Sequence, residues 1–225
     1  NHEVIILSRN PTKENEYKWD ISSNYVDEKT LLHTDYMIHL AGAGIADERW
    51  TAKRKQVIID SRVNSANLLF DKIKELNINL KGFISTKNIP VTILRTGIVL
   101  ADKGGALDKM KTPIISPLGS GNQFLPWIHI DDLCLMYIKA IDNNLTGIFN
   151  AVAPEHQTSK TFSKTLAKSI KRPFVGIGVP SFMLNLLFGE LAIILLEGSR
   201  ISAKKIEKSG FSFRFDTLKK ALKKV

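Results

Sequence analysis

Short β-branched apolar runs alternate along this chain with helical stretches, and no other feature constrains its fold as tightly. Residues 4–7, 37–40, 83–85 and 91–94 read as strands, with a weaker run at 19–21. Between them, 57–76 sets Ile58, Val63, Ala66, Leu69, Phe70 and Ile73 three or four residues apart with charged residues on the other side, the pattern of an amphipathic helix. Strands alternating with helices predict a doubly wound, mostly parallel α/β sheet. After Leu100 the texture changes. Glycine and proline punctuate 104–126, Asp131 or Asp132 is placed to cap a helix through Leu133, Tyr137 and Ile141, and 147–152 reads as another short strand. Thr158 or Ser159 is placed to cap a helix that buries Phe162, Leu166 and Ile170 and ends at Pro173. The remainder, 174–225, predicts two or three helices and a small β element at 211–215, where Phe211, Phe213 and Phe215 alternate with Ser212 and Arg214. The expected organisation is a nucleotide-binding domain over 1–150 and a smaller α+β substrate or lid domain over 151–225, with parts of 101–127 contributing.

Two places suggest further chain. A strand pattern begins almost at Asn1, so a segment is expected before it. Only Thr86, Lys87, Asn88 and Ile89 separate GFIS from PVTILR. A parallel crossover takes about a dozen residues, and a hairpin here lacks an Asn-Gly or Asp-Gly turn, so a further segment is expected between Thr86 and Lys87.

Composition narrows the function classes. With 44% hydrophobic and 24% charged residues in 225, the chain is an ordinary globular one. Cys134 is its single cysteine, which excludes an internal disulfide, points to a reducing, cytoplasmic setting and leaves the 5 histidines without thiolate partners, so no metal site is expected. Lysine and arginine number 32 against 22 acidic residues, a net charge of +10 that favours an anionic partner. The lysines are scattered and no arginine-rich, aromatic-interleaved stripe occurs, so nucleic acid is not the expected one. The longest apolar run, 182–196, is broken by Asn185, Gly189 and Glu190 and is too short to span a membrane. Its helix is expected to pack on the rest of the chain or on a partner.

Candidate site residues cluster at strand ends. In doubly wound dinucleotide folds the second strand ends near the adenosine ribose, where an acidic residue suits NAD and an arginine suits the 2′-phosphate of NADP. Ser8-Arg9 follows the first visible strand with no acidic residue beside it, which favours NADP(H), while an arginine after a strand on its own commonly serves only surface solvation. The small residues of HLAGAG, 39–44, would let a ligand lie against the backbone at another strand end, or simply form a tight turn. His129, Asp131 and Asp132 allow a catalytic reading, although capping and orienting the next helix suits them better. Asn122, Gln123 and Trp127 are candidates to line a polar substrate pocket. Arg200, following Gly198 as a helix C-cap, is placed either for an anionic substrate group or for an ion pair with Glu197 or Glu190.

Taken together, HEVIILSRNP, DYMIHLAGAGIADERWT, SRV, ILRTGIVL, GSGNQFLPWIHIDDL and TGIFNAVAP resemble the extended short-chain dehydrogenase/reductase superfamily, in particular its uncharacterised sugar-nucleotide epimerase-like subgroup. The tail with RP, LLEGSR and GFSFRF resembles the C-terminal domain of unknown function that closes those proteins. The resemblance implies a Rossmann-type fold whose glycine-rich turn would precede Asn1. It also implies that Ser8 and Arg9 meet the 2′-phosphate, Asp20 and Ile21 the adenine edge, Leu40, Ala41 and Gly42 the ribose and pyrophosphate side, and Ser85 with Thr86 the nicotinamide side. Arg95 would face the cofactor end of the crevice, or bridge charges across the sheet end. The implied activity is that of an NADP(H)-binding, epimerase-like oxidoreductase acting on a small substrate, nucleotide sugars among the candidates; the alternative is a non-catalytic NADP(H) sensor or scaffold. The superfamily's Tyr-x-x-x-Lys pair is not seen: none of Tyr17, Tyr25, Tyr36 and Tyr137 has a lysine four positions on at the right place in the chain. The pair would fall after Ser85, inside the further segment expected there; Ser85 and Thr86 are the nearest catalytic candidates in the sequence at hand, and the oligomeric state is left open.

Overall fold

A computed structural model describes residues 2–45, 47–82 and 92–225. Its contacts divide into two units, Asn1–Ile45 with Ala52–Val91 and Ala46–Thr51 with Thr92–Val225.

The first unit holds strands β1 (Ile6–Ser8), β2 (Glu16–Asp20) and β3 (Tyr25–Val26) in that order, β1 parallel to β2 and β2 antiparallel to β3. Helices α1 (Glu28–Leu32) and α2 (Ala52–Glu75) complete it. The parallel pair β1–β2 is joined by residues 9–15 alone, far fewer than a crossover normally needs. The strands are short enough to permit it: three residues advance about 10 Å, while seven can reach about 23 Å. The return is pinned by Ile6 N–H on the Asn15 carbonyl at 2.9 Å, the Asn15 amide on the Val4 carbonyl at 3.1 Å and Thr12 N–H on the Glu16 carboxylate at 2.7 Å. The length argument that predicts a segment after Thr86 is therefore not general, and that position lies outside the described residues.

Residues 37–40 do not form the expected strand. Among the described residues this run is paired at Gly82, through a parallel bridge to Tyr36 and a 3.2 Å bond from Met37 N–H to the Gly82 carbonyl, and residues 83–91, which follow Gly82, lie outside the described residues. The expected helix is α2, but burial is confined to its second half, at Ser65, Leu68, Leu69 and Ile73, while Val57 and Val63 stay exposed. Leu68, Leu69 and Ile73 pack with Trp19, Val26, Leu31 and Leu80 as the core of this unit.

The second unit is organised by one extended stretch that changes partners. Strand β4 (Thr92–Thr96) pairs in parallel with β7 (Gly147–Ala151), and its continuation β5 (Ile98–Leu100) pairs in parallel with β6 (Trp127–His129). The change occurs at Gly97. Its N–H reaches the Ala151 carbonyl at 3.2 Å, while the next N–H, of Ile98, reaches the Pro126 carbonyl at 2.8 Å. A Cβ on Gly97 would sit 2.6 Å from that Pro126 oxygen, so the site requires a glycine.

Successive side chains of β6 face opposite ways. Trp127 enters a core with Leu100, Leu107 and Leu125, closed by α5 (Ser159–Ser169) and α9 (Leu218–Ala221) through Phe162, Leu166, Leu218 and Ala221. Ile128 enters a second core with Phe149, closed by Leu133 and Met136 of α4 (Ile130–Asp142), Ile206 of α8 (Lys204–Lys208) and Phe211. Helix α3 (Gly105–Met110) supplies Leu107, and Thr158 caps α5 in a reciprocal capping box with Thr161.

Two expectations for the tail need correction. Residues 211–215 are not a strand, because the N–H groups of Arg214 and Phe215 are taken by the Asp132 carboxylate at 2.8 and 3.0 Å and not by a ladder. The apolar run 182–196 is not one packed helix. Gly189, at φ 60°, breaks it into α6 (Ser181–Phe188) and α7 (Leu191–Leu196). Leu184, Leu191 and Ala192 are buried, while Phe182, Leu186 and Leu187 stay exposed. Among the described residues no helix is long and apolar enough to cross a membrane.

Gly97→Ala should force the strand off Pro126 and cost about 1–3 kcal/mol, the usual range for overpacking. The measurement is the urea midpoint of unfolding, which is expected to fall with an unchanged slope.

Candidate functional site

In the first unit the parallel register of β1 and β2 brings their carboxyl ends to one sheet edge, Ser8 and Arg9 on one strand and Asp20 with Ile21 on the other. Ser8 Oγ accepts the Asn10 N–H at 3.3 Å, and Arg9 is exposed. Asp20 accepts the Ser22 hydroxyl at 2.7 Å and N–H at 2.9 Å; these bonds, the hydroxyl first, hold its carboxyl below the usual range. Ile21 packs on the core.

The loop 39–44 is stitched to α2. His39 Nε2 meets Ser65 Oγ at 2.8 Å, Ala43 N–H donates to Ser61 Oγ at 2.9 Å, and Arg54 donates to the Gly44 carbonyl at 2.8 Å. Arg62 Nη1 donates to the carbonyls of Ala43 at 3.1 Å and Ile58 at 3.0 Å. Gly42 lies against this guanidinium so closely that a Cβ would come within 2.8 Å of its Cζ. Leu40 is 72% exposed at the loop's open side, while Ala41 packs on the core. Burial, aided by the Arg62 charge, lowers the pKa of His39. Ser61, Arg62 and Ser65 were not singled out by sequence reading. The signal was the SRV tripeptide, whose meaning needs a partner loop some twenty positions away.

Ser85 and Thr86 lie outside the described residues. In the second unit, Arg95 is exposed on β4 in register with Asn150 of β7, without the salt bridge weighed for it among the described residues. Trp127 is not on a loop: it belongs to β6, is 1% exposed and donates its indole N–H to the Glu155 carbonyl at 3.2 Å, which removes it from any open pocket. Gln123 spends its amide on the carbonyls of Leu118 and Leu195, each at 2.9 Å, tying its loop to α7. Asn122 is exposed. Arg200 forms no ion pair with Glu197; its guanidinium stands 5.9 Å over the Phe124 ring. Gly198 is not the C-cap of α7, a place taken by Glu197. It is required because a Cβ there would collide with the Phe124 carbonyl. Beside these residues a small crevice, with room for about one water, opens between Phe124, Pro126, Val152, His156, Ser199 and Ile201.

The WIHIDDL segment is structural. His129, not an aspartate, caps α4, its Nδ1 accepting the Asp131 N–H at 3.1 Å. The ring proton therefore sits on Nε2, which is buried without a partner among the described residues. The ring stacks on Phe215 with centroids 3.8 Å apart. Burial lowers its pKa, overriding the carboxylates of Asp131 and Asp132. Asp132 is fully buried and binds the tail as described above. One tyrosine does carry a lysine four positions on, Tyr25 with Lys29, but Tyr25 is in β3 and Lys29 in α1 with the N-cap Asp27 between them, so no single helix aligns the two. Among the described residues no group of three or more His, Cys, Asp or Glu side chains could hold a metal ion.

These features can be set beside known proteins. Residues 179–225 match the family described as a domain of unknown function, DUF1731. The mouse (Mus musculus) epimerase family protein SDR39U1 is 30% identical over 273 residues, covering 100% of this chain and 91% of its own length. That span exceeds the 225 residues present here, so the mouse protein carries stretches without a counterpart in this chain. An epimerase family protein of Staphylococcus aureus (strain MRSA252) is also 30% identical, over 87% of this chain and 80% of its own. The crystal structure of human epimerase family protein SDR39U1 (isoform 2) with NADPH superposes with a TM-score of 0.87 at 26% identity, covering 100% of this chain and 90% of that one. A nucleoside-diphosphate sugar epimerase from Corynebacterium glutamicum shares the fold, with a TM-score of 0.71 at 21% identity over 98% of this chain and 52% of that one.

Because His129 is held neutral in the folded state, its contribution to stability is full above the unfolded value near 6.5 and is lost as pH falls from there toward the lowered native value. His39 acts in the same direction. His129→Asn keeps a capping acceptor and should flatten the fall in melting temperature between pH 7.5 and 5, measured by circular dichroism against the wild type.

Proposed function

Because this chain belongs to the epimerase family of SDR39U1, within the extended short-chain dehydrogenase/reductase superfamily, we propose that it is an NADP(H)-binding, epimerase-like oxidoreductase acting on a small substrate of the nucleotide-sugar class in the cytoplasm. The observation that carries the cofactor assignment is the edge formed by β1 and β2. An exposed guanidinium, Arg9, stands at the end of β1 with no acidic residue adjacent in sequence, which suits a 2′-phosphate and not a free ribose hydroxyl pair. The crystal structure of human SDR39U1 with NADPH supports the same assignment.

The residues present fit the group. Gly42 offers backbone without a side chain, Arg62 closes one side of it, and the exposed Leu40 leaves the loop open. In this reading Ser8 and Arg9 hold the 2′-phosphate, Asp20 and Ile21 the adenine edge, and Leu40, Ala41 and Gly42 the ribose and pyrophosphate. Arg95 serves the cofactor end of the crevice, and Asn122 and Arg200 are the side chains left for substrate. When bound, the nicotinamide supplies or accepts the hydride. A second reading, a cofactor-dependent sensor without catalysis, is favoured by the lack of a tyrosine and lysine aligned on one helix among the described residues.

NADPH is expected to bind more tightly than NADH. Arg9→Ala should cost about 1.5–3 kcal/mol of NADPH affinity, the range for a hydrogen bond to a charged group, and leave NADH binding unchanged. Equal affinities for the two cofactors by calorimetry, unaltered by the substitution, would overturn the assignment.

A further inference from the structure

We infer that Arg62 is a preorganised receptor for a phosphoryl oxyanion, the pyrophosphate of the dinucleotide, set into the loop that carries Gly42. The inference rests on the NADP(H) reading above and adds a residue that sequence comparison with the dinucleotide fold does not select, since Arg62 lies on α2 and not at a strand end.

The argument starts from how the guanidinium spends its five donors. Nη1 uses both of its hydrogens on the carbonyls of Ala43 and Ile58, at 3.1 and 3.0 Å. Nε–H and Nη2–H form no bond with any described residue, and neither nitrogen is sealed from solvent. Those two donors are parallel, the fork that matches two oxygens of a phosphate or carboxylate. A guanidinium is charged at any ordinary pH, and an arginine half-buried in a fold normally meets a carboxylate. Here none of the described residues supplies one: the groups bonded to it are backbone carbonyls, and its loop is otherwise held by the hydroxyls of Ser61 and Ser65 and by Arg54 on the Gly44 carbonyl. The charge is felt by His39, whose pKa it helps to lower.

The fork is also immobilised beforehand. Two carbonyl bonds fix the plane, and the close approach of Gly42, where a Cβ would meet Cζ at 2.8 Å and Nη1 at 2.9 Å, fits the guanidinium against bare backbone. The rotamer entropy that a free arginine loses on binding an anion is thus already spent. A residue serving only to staple the loop would need Nη1 and nothing more. The fork that no described residue occupies is what calls for an anion.

The test uses the full chain, with NADPH, NADH and inorganic pyrophosphate as probes. Arg62→Gln should weaken NADPH and NADH by the same factor, about tenfold or more, and Arg62→Lys, which keeps charge but loses the fork, should fall between. Inorganic pyrophosphate should raise the melting temperature of the wild type and not that of Arg62→Gln. A loss confined to NADPH would move the fork to the 2′-phosphate and overturn the pyrophosphate assignment. Unchanged affinity for both dinucleotides in a folded variant overturns the receptor altogether. If Arg62→Gln does not fold, Arg62→Lys decides: equal weakening of both dinucleotides supports the receptor, and unchanged affinity overturns it. If the wild type binds neither dinucleotide yet pyrophosphate stabilises it through Arg62, the cofactor reading fails and the anion receptor stands; if pyrophosphate also has no effect, both fail.

Discussion

The second unit depends on one buried carboxylate. Asp132 has no access to solvent, and a carboxylate in that position is costly unless its oxygens are satisfied. Both are, by the backbone N–H groups of Arg214 and Phe215, 82 and 83 positions away in sequence. Phe215 in turn lies on the ring of His129, and the Leu218 N–H meets the Glu155 carboxylate at 2.6 Å while the Glu155 carbonyl takes the Trp127 indole. A few polar bonds thus fix where the tail crosses the sheet, and the apolar faces of α8 and α9 follow them into the two cores. The segment matched as DUF1731 is therefore an integral layer of this unit: it completes cores that β5 and β6 begin.

A comparable economy governs the loop 39–44. Small residues leave backbone groups uncovered, and the chain covers them with side chains from one face of α2: Arg54 on Gly44, Ser61 and Arg62 on Ala43. Exposure on the outer side and tethering on the inner side are the two properties that a surface for an extended ligand requires, and both follow from placing small residues opposite a helix rich in donors.

Much of the architecture was legible in the sequence because hydrophobic periodicity reports burial. The runs near 19, 91 and 147 became β2, β4 and β7, and the helical pattern after 57 became α2. The failures share one cause, that burial and pairing are different properties. Residues 37–40 have the composition of a strand, yet among the described residues they meet a single bridge at Gly82; 211–215 alternate like one, yet the N–H groups of Arg214 and Phe215 are captured by a side chain. The cap of α4 was misassigned because histidine is not among the preferred N-caps, and only its seat against Phe215 makes the neutral ring available as an acceptor. At the site, the strand-end residues are proposed from the chemistry of the cofactor. Trp127 and Gln123 were not correctly placed, since an aromatic or an amide serves packing as readily as recognition, and only their partners decide.

The exchange of partners at Gly97 bears on how this chain can vary. Residues 92–100 belong to two ladders at once, with Thr96 aligned on Ala151 and Ile98 aligned on Trp127, and a single residue between the two registers. Insertion or deletion of one residue on either side would slide one ladder past the other and turn an entire set of side chains to the wrong face. Substitution along this stretch is a local matter of volume, whereas its length is held by two independent rulers. Among homologous chains, gaps should accumulate in the connections and spare these nine positions.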